Sequence, residues 1–477
     1  MVSISTKKIL NHKLFKTIKM VIEECGIESY IIGGFVRDFI LIKENSKDID
    51  FLCADSGIKL AKLLKKALVN SSKIKIFKNY GTAMFSWNGF KLEFVGARKE
   101  SYNFNSRNPV VEKGSILDDQ KRRDFTINSI AISLNKTNYG KIIDPCNGIE
   151  DIKKRILRTP LNPNKTYNDD PLRMLRAIRF SSNLNFKIEE KSLEAIYNNV
   201  NRINIISKER IVDELNKIIL SPKPSLGFLI LDKTGLLNKI IPEVSNLKGV
   251  EEVEGYSHKE NFYHTLEVLD NISLKTDNLW LRWAALLHDI GKVPTKKLIP
   301  GSGWTFHGHE FVGSKMVYKL YKRLKMPLNE KMKYVQKLVL MSSRPIVIAK
   351  EIVTDAAVRR LVFDAGDDID DLICLCKADI TTKNQKRFSK YHKNFELVTK
   401  KIIEVEEKDR IRNFQPPLDG ELIMSYYGIK PCEKIGKIKE SIKEAILEGK
   451  IPNNKKAAFE LMKSIGKELG LAPANEK

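Results

Sequence analysis

Short apolar runs separated by glycine or asparagine dominate the first 145 residues. Tyr30–Ile32, Ile49–Ala54, Lys73–Phe77, Ala83–Trp87 and Lys91–Val95 each have the length and side-chain content of a strand. From about Pro171 onward the apolar positions recur with a helical period. That period is broken at Ser221-Pro222-Lys223-Pro224 and around Pro300-Gly301-Ser302-Gly303. The pattern predicts an α+β chain, with a small N-terminal sheet domain over 1–145 and all-helical segments over 146–250, 251–385 and 386–477. It contains no internal repeat and no low-complexity tract.

The length of 477 residues agrees with several domains at about 150 residues each. Charge adds a second constraint: 83 Lys and Arg against 59 Asp and Glu leave a net +24. Such an excess suits a polyanion such as nucleic acid, an anionic membrane surface or a phosphate-rich substrate. Coding bias toward Lys, Ile and Asn is the alternative source of the same excess. No run reaches the roughly 18–20 apolar residues that span a bilayer, and Met1–Leu10 has no apolar segment of signal-peptide length. The six cysteines form no Cys-x-x-Cys pair, which predicts a reduced, cytoplasmic protein without disulfide framework or zinc knuckle. Cys374 and Cys376 lie in an apolar run and read as buried small hydrophobes.

Candidate chemistry begins at Gly33-Gly34-Phe35-Val36-Arg37-Asp38, directly after an apolar strand. Two glycines let backbone N–H groups approach a phosphate, and Arg37 offers a charge-assisted contact to the same anion. Ten residues on, Lys47-Asp48-Ile49-Asp50-Phe51 opens a strand. Period-two alternation puts Asp48 and Asp50 on one face, where paired carboxylates suit Mg²⁺ and its substrate phosphates. A solvated Asp-x-Asp at a strand edge is the plain alternative. Glu93, in Lys91-Leu92-Glu93-Phe94, is a candidate third carboxylate.

Two further motifs follow, Arg122-Arg123-Asp124-Phe125-Thr126-x-Asn128 and Asp170-Pro171-x-Arg173-x-x-Arg176-x-x-Arg179-Phe180. In a helix, steps of three residues slip back about 60° each, so Asp170, Arg173, Arg176 and Arg179 share one broad face and Leu172, Leu175 and Ile178 another. A carboxylate accepts and a guanidinium donates. An Asp–Arg pair therefore matches the amino donor and ring-nitrogen acceptor shared by cytosine and adenine, and opposes the reversed order of guanine and uracil.

The four ordered motifs, over roughly residues 30–180, resemble the class II tRNA nucleotidyltransferases; bacterial poly(A) polymerases are similar over the same motifs. The resemblance implies a nucleotidyltransferase head followed by a helical neck, body and tail. It implies template-independent addition of C, C and A to tRNA 3′ ends from CTP and ATP with Mg²⁺. Asp48 and Asp50 would be the catalytic metal ligands, with Gly33, Gly34, Arg37, Arg123 and Asp124 around the nucleotide. Asp170 and Arg173 would select the base, and Arg176 and Arg179 would act structurally or on phosphate. Asp169 departs from the family pattern, which often has Glu there. CC-addition, A-addition and polyadenylation remain alternatives within the class.

A second cluster, His264, His288-Asp289 and Asp379, matches the spacing of an HD domain, and its residues are candidate ligands of a divalent transition metal. His307 and His309 are additional candidates. Five of the seven histidines, His258 included, fall within 52 positions. The segment before Arg344-Pro345 reads Met341-Ser342-Ser343 and lacks the further His common in related segments, which disfavours a two-metal site. A reading from a different class makes this cluster a phosphohydrolase and the head an RNA-binding module; a noncatalytic RNA chaperone is a third. The charge generates a first prediction. Affinity for tRNA should fall by about a hundredfold or more between roughly 50 and 200 mM salt, as phosphate contacts by Lys and Arg release counterions. Filter binding across a salt series measures it, and a flat response would reduce the charge to coding bias.

Overall fold

The computed structural model describes residues 5–42, 47–78, 81–101, 110–249, 252–253, 256–257, 260–301, 303–350, 354–382, 384–409, 412 and 417–474. The chain forms two compact units, Met1–Pro242 and Glu243–Lys477. Among the described residues no helix is long and apolar enough to cross a membrane.

Among the described residues the head of the first unit holds nine strands: β1 (Ser29–Ile32), β2 (Asp48–Cys53), β3 (Lys75–Phe77), β4 (Thr82–Trp87), β5 (Phe90–Gly96), β6 (Arg98–Ser101), β7 (Val110–Lys113), β8 (Ala131–Ser133) and β9 (Ile142–Ile143). Two more, β10 (Ile156–Leu157) and β11 (Lys187–Ile188), pair in parallel within the segment expected to be all-helical. Seven of the nine form one sheet in the order β3-β4-β5-β2-β1-β8-β9, and β6 pairs with β7 as a separate hairpin. The β2–β5 pair is parallel and the other neighbours in the sheet are antiparallel. All five strands expected from the apolar runs are present, with ends shifted by a residue or two. β8 escaped the sequence reading because its three residues are all buried and carry no alternation.

The parallel register sets up the sheet's two faces. Ile49 pairs with Leu92 and Phe51 with Phe94, and all four are buried. The Phe51 and Phe94 rings stack at 4.8 Å, and Phe85 joins Phe94 at 5.5 Å. The opposite face of the same strands pairs Asp48 with Lys91 and Asp50 with Glu93. An apolar core on one side therefore obliges the acidic residues onto the other.

Helix Leu172–Leu184 buries Leu172, Leu175 and Ile178, as its three-residue slip predicts. Asp170 does not share that helix, a correction to the sequence reading. Its backbone is extended (φ −133°, ψ 97°), and its Oδ1 accepts from the Leu172 N–H at 3.2 Å. The cause is Pro171, whose ring disfavours helical geometry in the residue before it. The break at Ser221-Pro222-Lys223-Pro224 separates helices Lys208–Ile219 and Pro224–Lys233 as expected. In the second unit, helical apart from short strand pairs, the Pro300-Gly301 break differs from the expected helix boundary. It lies at the tip of a β-hairpin pairing Lys297–Ile299 with Gly303–Thr305.

Buried Asp124 fastens the sheet region to helix Leu172–Leu184. Its Oδ2 accepts from Arg176 Nη2 at 2.6 Å and Nε at 2.8 Å; its Oδ1 accepts from Asn128 Nδ2 at 3.0 Å and the Phe125 N–H at 2.9 Å. Burial would raise its pKa, but the Arg176 charge and these hydrogen bonds hold it well below the usual carboxylate range. A carboxylate with a depressed folded pKa stabilises above its unfolded pKa, and loses that contribution as pH falls through the folded value. Asp124→Asn should therefore cost on the order of 3–5 kcal/mol at neutral pH, leaving Arg176 uncompensated. Urea denaturation at neutral and acid pH tests this, with the gap between wild type and variant narrowing in acid.

Candidate active site and second metal-ligating cluster

Gly33 ends the turn after β1 with φ +88°, a conformation that only glycine adopts without strain. A Cβ there would lie 3.0 Å from Asp50 Oδ2 and 3.2 Å from Arg123 Nη1. The turn, the second Asp of Asp-x-Asp and the second Arg of Arg122-Arg123 thus meet at one point. Burial raises the pKa of Asp50 and Asp48 adds to the rise, while Arg123 is foremost among the charges that lower it. Glu93, level with Asp50 on β5, is likewise raised by burial and by Asp50. Three carboxylates on one sheet face, two of them held above their ordinary pKa, form a concentration of negative charge that a divalent cation relieves.

The arginines nearby fall into two groups. Arg37 is buried and donates to Asp38 through Nε at 2.8 Å and Nη2 at 2.9 Å, and to Asn128 Oδ1 through Nη1 at 2.8 Å. Its fork is directed inward, onto partners that the anion reading of this residue did not foresee. Arg176 is held by Asp124, and Arg179 Nη1 pairs with buried Glu214 at 3.2 Å. The guanidinium groups of Arg37, Arg176 and Arg179 lie 5.0, 5.4 and 4.3 Å from the centre of the Phe180 ring, which meets Phe125 edge-on. The side chain of Arg173, half-buried on the same helix face, has no hydrogen bond or ion pair with the described residues, though its backbone N–H donates to the Asp170 carbonyl at 3.0 Å.

Sequence reasoning missed the acids behind Arg122 and Arg123. Asp119 is fully buried and engages both arginines; Glu100, on β6, engages Arg98 and Arg122 at 2.9 Å each. Asp119 carried one readable signal, its position three and four residues before two arginines on a helical segment.

In the second unit, His264, His288 and Asp379 bring ligand atoms within 4.8 Å of one another, as no other such set among the described residues does. His264 Nε2 lies 2.7 Å from Asp379 Oδ1, and its Nδ1 meets Thr381 Oγ1 at 2.9 Å. Helix Leu279–Leu287 has His288 as its C-terminal cap. His288 Nδ1 lies 2.8 Å from the Ala285 carbonyl, which makes Nδ1 the protonated nitrogen and leaves Nε2 facing the carboxylates. That Nε2 is buried without a hydrogen-bond partner, 3.4 Å from Asp289 Oδ2 and 3.6 Å from Asp379 Oδ1. Burial opposes its protonation, but the two carboxylates prevail and push His288 up to about 10. Asp289 stands slightly apart, its Oδ2 held by Lys292 Nζ at 2.6 Å. His309 Nε2 comes within 3.8 Å of Asp289 Oδ1, because Gly291 lets the chain around His309 approach: a Cβ on Gly291 would lie 2.0 Å from the His309 carbonyl. His307 is exposed, and His258 lies outside the described residues. Ser343, where a further His was sought, instead donates to Glu310.

Comparison with known proteins agrees with this division. The Poly A polymerase head domain family matches residues 29–158, the probable RNA and SrmB-binding site of polymerase A matches 185–248, and the HD domain matches 261–384. The chain is 30% identical over 379 residues to the multifunctional CCA protein of Shewanella frigidimarina, covering 76% of this chain and 86% of that one. The chain belongs to the class II tRNA nucleotidyltransferase and bacterial poly(A) polymerase family. It is also 28% identical over 429 residues to the A-adding tRNA nucleotidyltransferase of Deinococcus radiodurans, covering 88% of this chain and 92% of that one. Its fold matches the Bacillus stearothermophilus CCA-adding enzyme in complex with CTP at a TM-score of 0.68 and 20% identity, over 96% of this chain and 99% of that one.

Nucleotidyltransferase heads and HD domains both use divalent metals, and this nucleotidyltransferase offers each a fitting donor set. At the HD cluster, a divalent ion must displace the Nε2 proton that the nearby carboxylates favour on His288, so binding should weaken as pH falls. His288→Ala should lower affinity for a divalent transition metal by at least about tenfold. Isothermal titration at two pH values measures both effects, and unchanged binding would remove His288 from the ligand set.

Proposed function

We propose that this nucleotidyltransferase adds C, C and A to tRNA 3′ ends from CTP and ATP, without a nucleic-acid template. The observation that carries this reading is the sorting of the arginines. Arg37, Arg176 and Arg179 are matched to acids, whereas Arg173 is left beside Asp170 with its donors available. A carboxylate whose backbone is fixed by Pro171 and a guanidinium one helical turn on accept from an exocyclic amine and donate to a ring nitrogen. That arrangement suits cytosine and adenine alike, which is what addition from CTP and ATP requires.

Asp48 and Asp50 would hold Mg²⁺, with Glu93 as a third carboxylate beside them. When bound, Mg²⁺ supplies charge neutralisation at the α-phosphate and at the leaving pyrophosphate. The chain's own part is positional. Gly33 lets nucleotide and carboxylates approach closely, Arg123 is directed at the same point, and Asp170 with Arg173 fix the base. The terminal ribose hydroxyl of tRNA then attacks in line. The basic surface grips the RNA through its phosphates, and the six unbridged cysteines suit work in the cytoplasm. The HD cluster reads as a separate divalent-metal site suited to phosphate-ester hydrolysis.

A second reading, addition of the terminal A alone, is favoured by the extended similarity to the A-adding relative from Deinococcus. Sequencing the products from tRNA that lacks its 3′ end, and from tRNA ending in CC, separates the two. CCA addition extends both substrates and A-addition only the second. Asp48→Asn and Asp50→Asn should each reduce incorporation by about a thousandfold while leaving tRNA affinity within about twofold. Wild-type rates in either variant would refute the carboxylate assignment.

A further inference from the structure

We propose that Asp119 is the positioning residue that aims Arg123 at the phosphates of the incoming nucleotide. The inference rests on placing Asp50 and Arg123 at the nucleotide, as above. Asp119 sits on the short helix Ile116–Lys121, with its side chain fully shielded from solvent. Each of its oxygens serves a different arginine. Oδ1 accepts from Arg122 Nε at 2.9 Å and also from Arg122 Nη2; Oδ2 accepts from Arg123 Nε at 3.3 Å.

The geometry gives the two arginines different roles. Arg122 is bound from both sides, since its Nη1 also donates at 2.9 Å to Glu100, a carboxylate only 3% exposed that pairs in turn with Arg98. Arg122 is therefore a strut that fixes the Asp119 carboxylate. Arg123 is held only at its inner edge. Its Nη1 reaches the Asn128 carbonyl at 3.5 Å and lies 3.2 Å from the vacant Cβ position of Gly33, on the side of Asp50. Its Nη2 has no hydrogen-bond partner among the described residues. A guanidinium is planar with its donors in a rigid fork, so restraining Nε fixes where the outer donors point. The 3.3 Å bond is long for a charge-assisted contact, which suits an orienting restraint that leaves the outer edge able to bind an anion. Without Asp119, Arg123 keeps its charge but can turn toward Asp50, which faces the same point beside Gly33.

The test uses the full chain and ATP with Mg²⁺, read by calorimetry, alongside KM, kcat and thermal melting. Asp119→Asn should weaken ATP binding about tenfold, with tRNA affinity retained. Arg123→Ala should lose at least as much, and the double variant should be no worse than Arg123→Ala, because the acid acts through the arginine. Additive losses, or a folded Asp119→Asn that binds ATP as wild type does, would overturn the proposal. Removing one partner of a buried pair can prevent folding. Asp119→Glu keeps the charge that Arg122 needs and displaces the carboxylate by one methylene. It should melt near wild type and still weaken ATP binding, and wild-type affinity in that variant would equally overturn the proposal. A wild-type chain that binds ATP yet extends no tRNA would sink the tRNA reading, while ATP binding would still decide the role of Asp119.

Discussion

Asp124 is buried, charged and bonded on both oxygens, and its bonds run to different parts of the candidate site. Through Arg176 it holds the helix that bears Arg173; through Asn128 it reaches Arg37 and the helix behind the glycine turn. An isolated carboxylate would not stay ionised at such a depth, so Arg176 and Asn128 are conditions of its being there at all. The consequence is rigidity. The sheet's acidic face and helix Leu172–Leu184 are joined by charge-assisted bonds whose geometry tolerates little displacement.

The same requirement explains why the site uses so many arginines. Guanidinium groups crowded around Phe180 would repel one another if left unpaired. Asp38, Asp124 and Glu214 each neutralise one, and the aromatic face accommodates their planes. Neutralisation acts as a filter: Arg37, Arg176 and Arg179 are committed to holding the scaffold, while among the described residues the Arg173 side chain and the outer edge of Arg123 keep donors available. In the proposed reading, selectivity for a base and contact with a phosphate fall to these two groups.

The second unit solves a related problem with imidazoles. Its helices bury His264 and His288, and second partners orient their rings: the Thr381 hydroxyl for His264 and the Ala285 carbonyl for His288. Lys292 offsets part of the acidic charge at Asp289. Each unit carries its own polar cluster among the described residues.

Much of this was legible in the chain itself, because periodicity is a property of consecutive residues. Apolar runs located the strands, alternation placed Asp48 with Asp50, and the three-residue slip separated Leu172, Leu175 and Ile178 from the arginines. Pro171 was legible as well, but reading Asp170 into the helix overlooked what a proline does to its predecessor. Partner choice was not legible. Glu93 joins Asp50 only because β2 and β5 run parallel in one register. Arg176 and Arg179 find acids 52 and 35 positions away. Asp119 becomes an organiser only once burial makes an unpaired charge costly. The residues alone determined which elements form and which side chains share a face. Tertiary packing decided which charges lose water and must therefore be matched, and so which few kept their donors available.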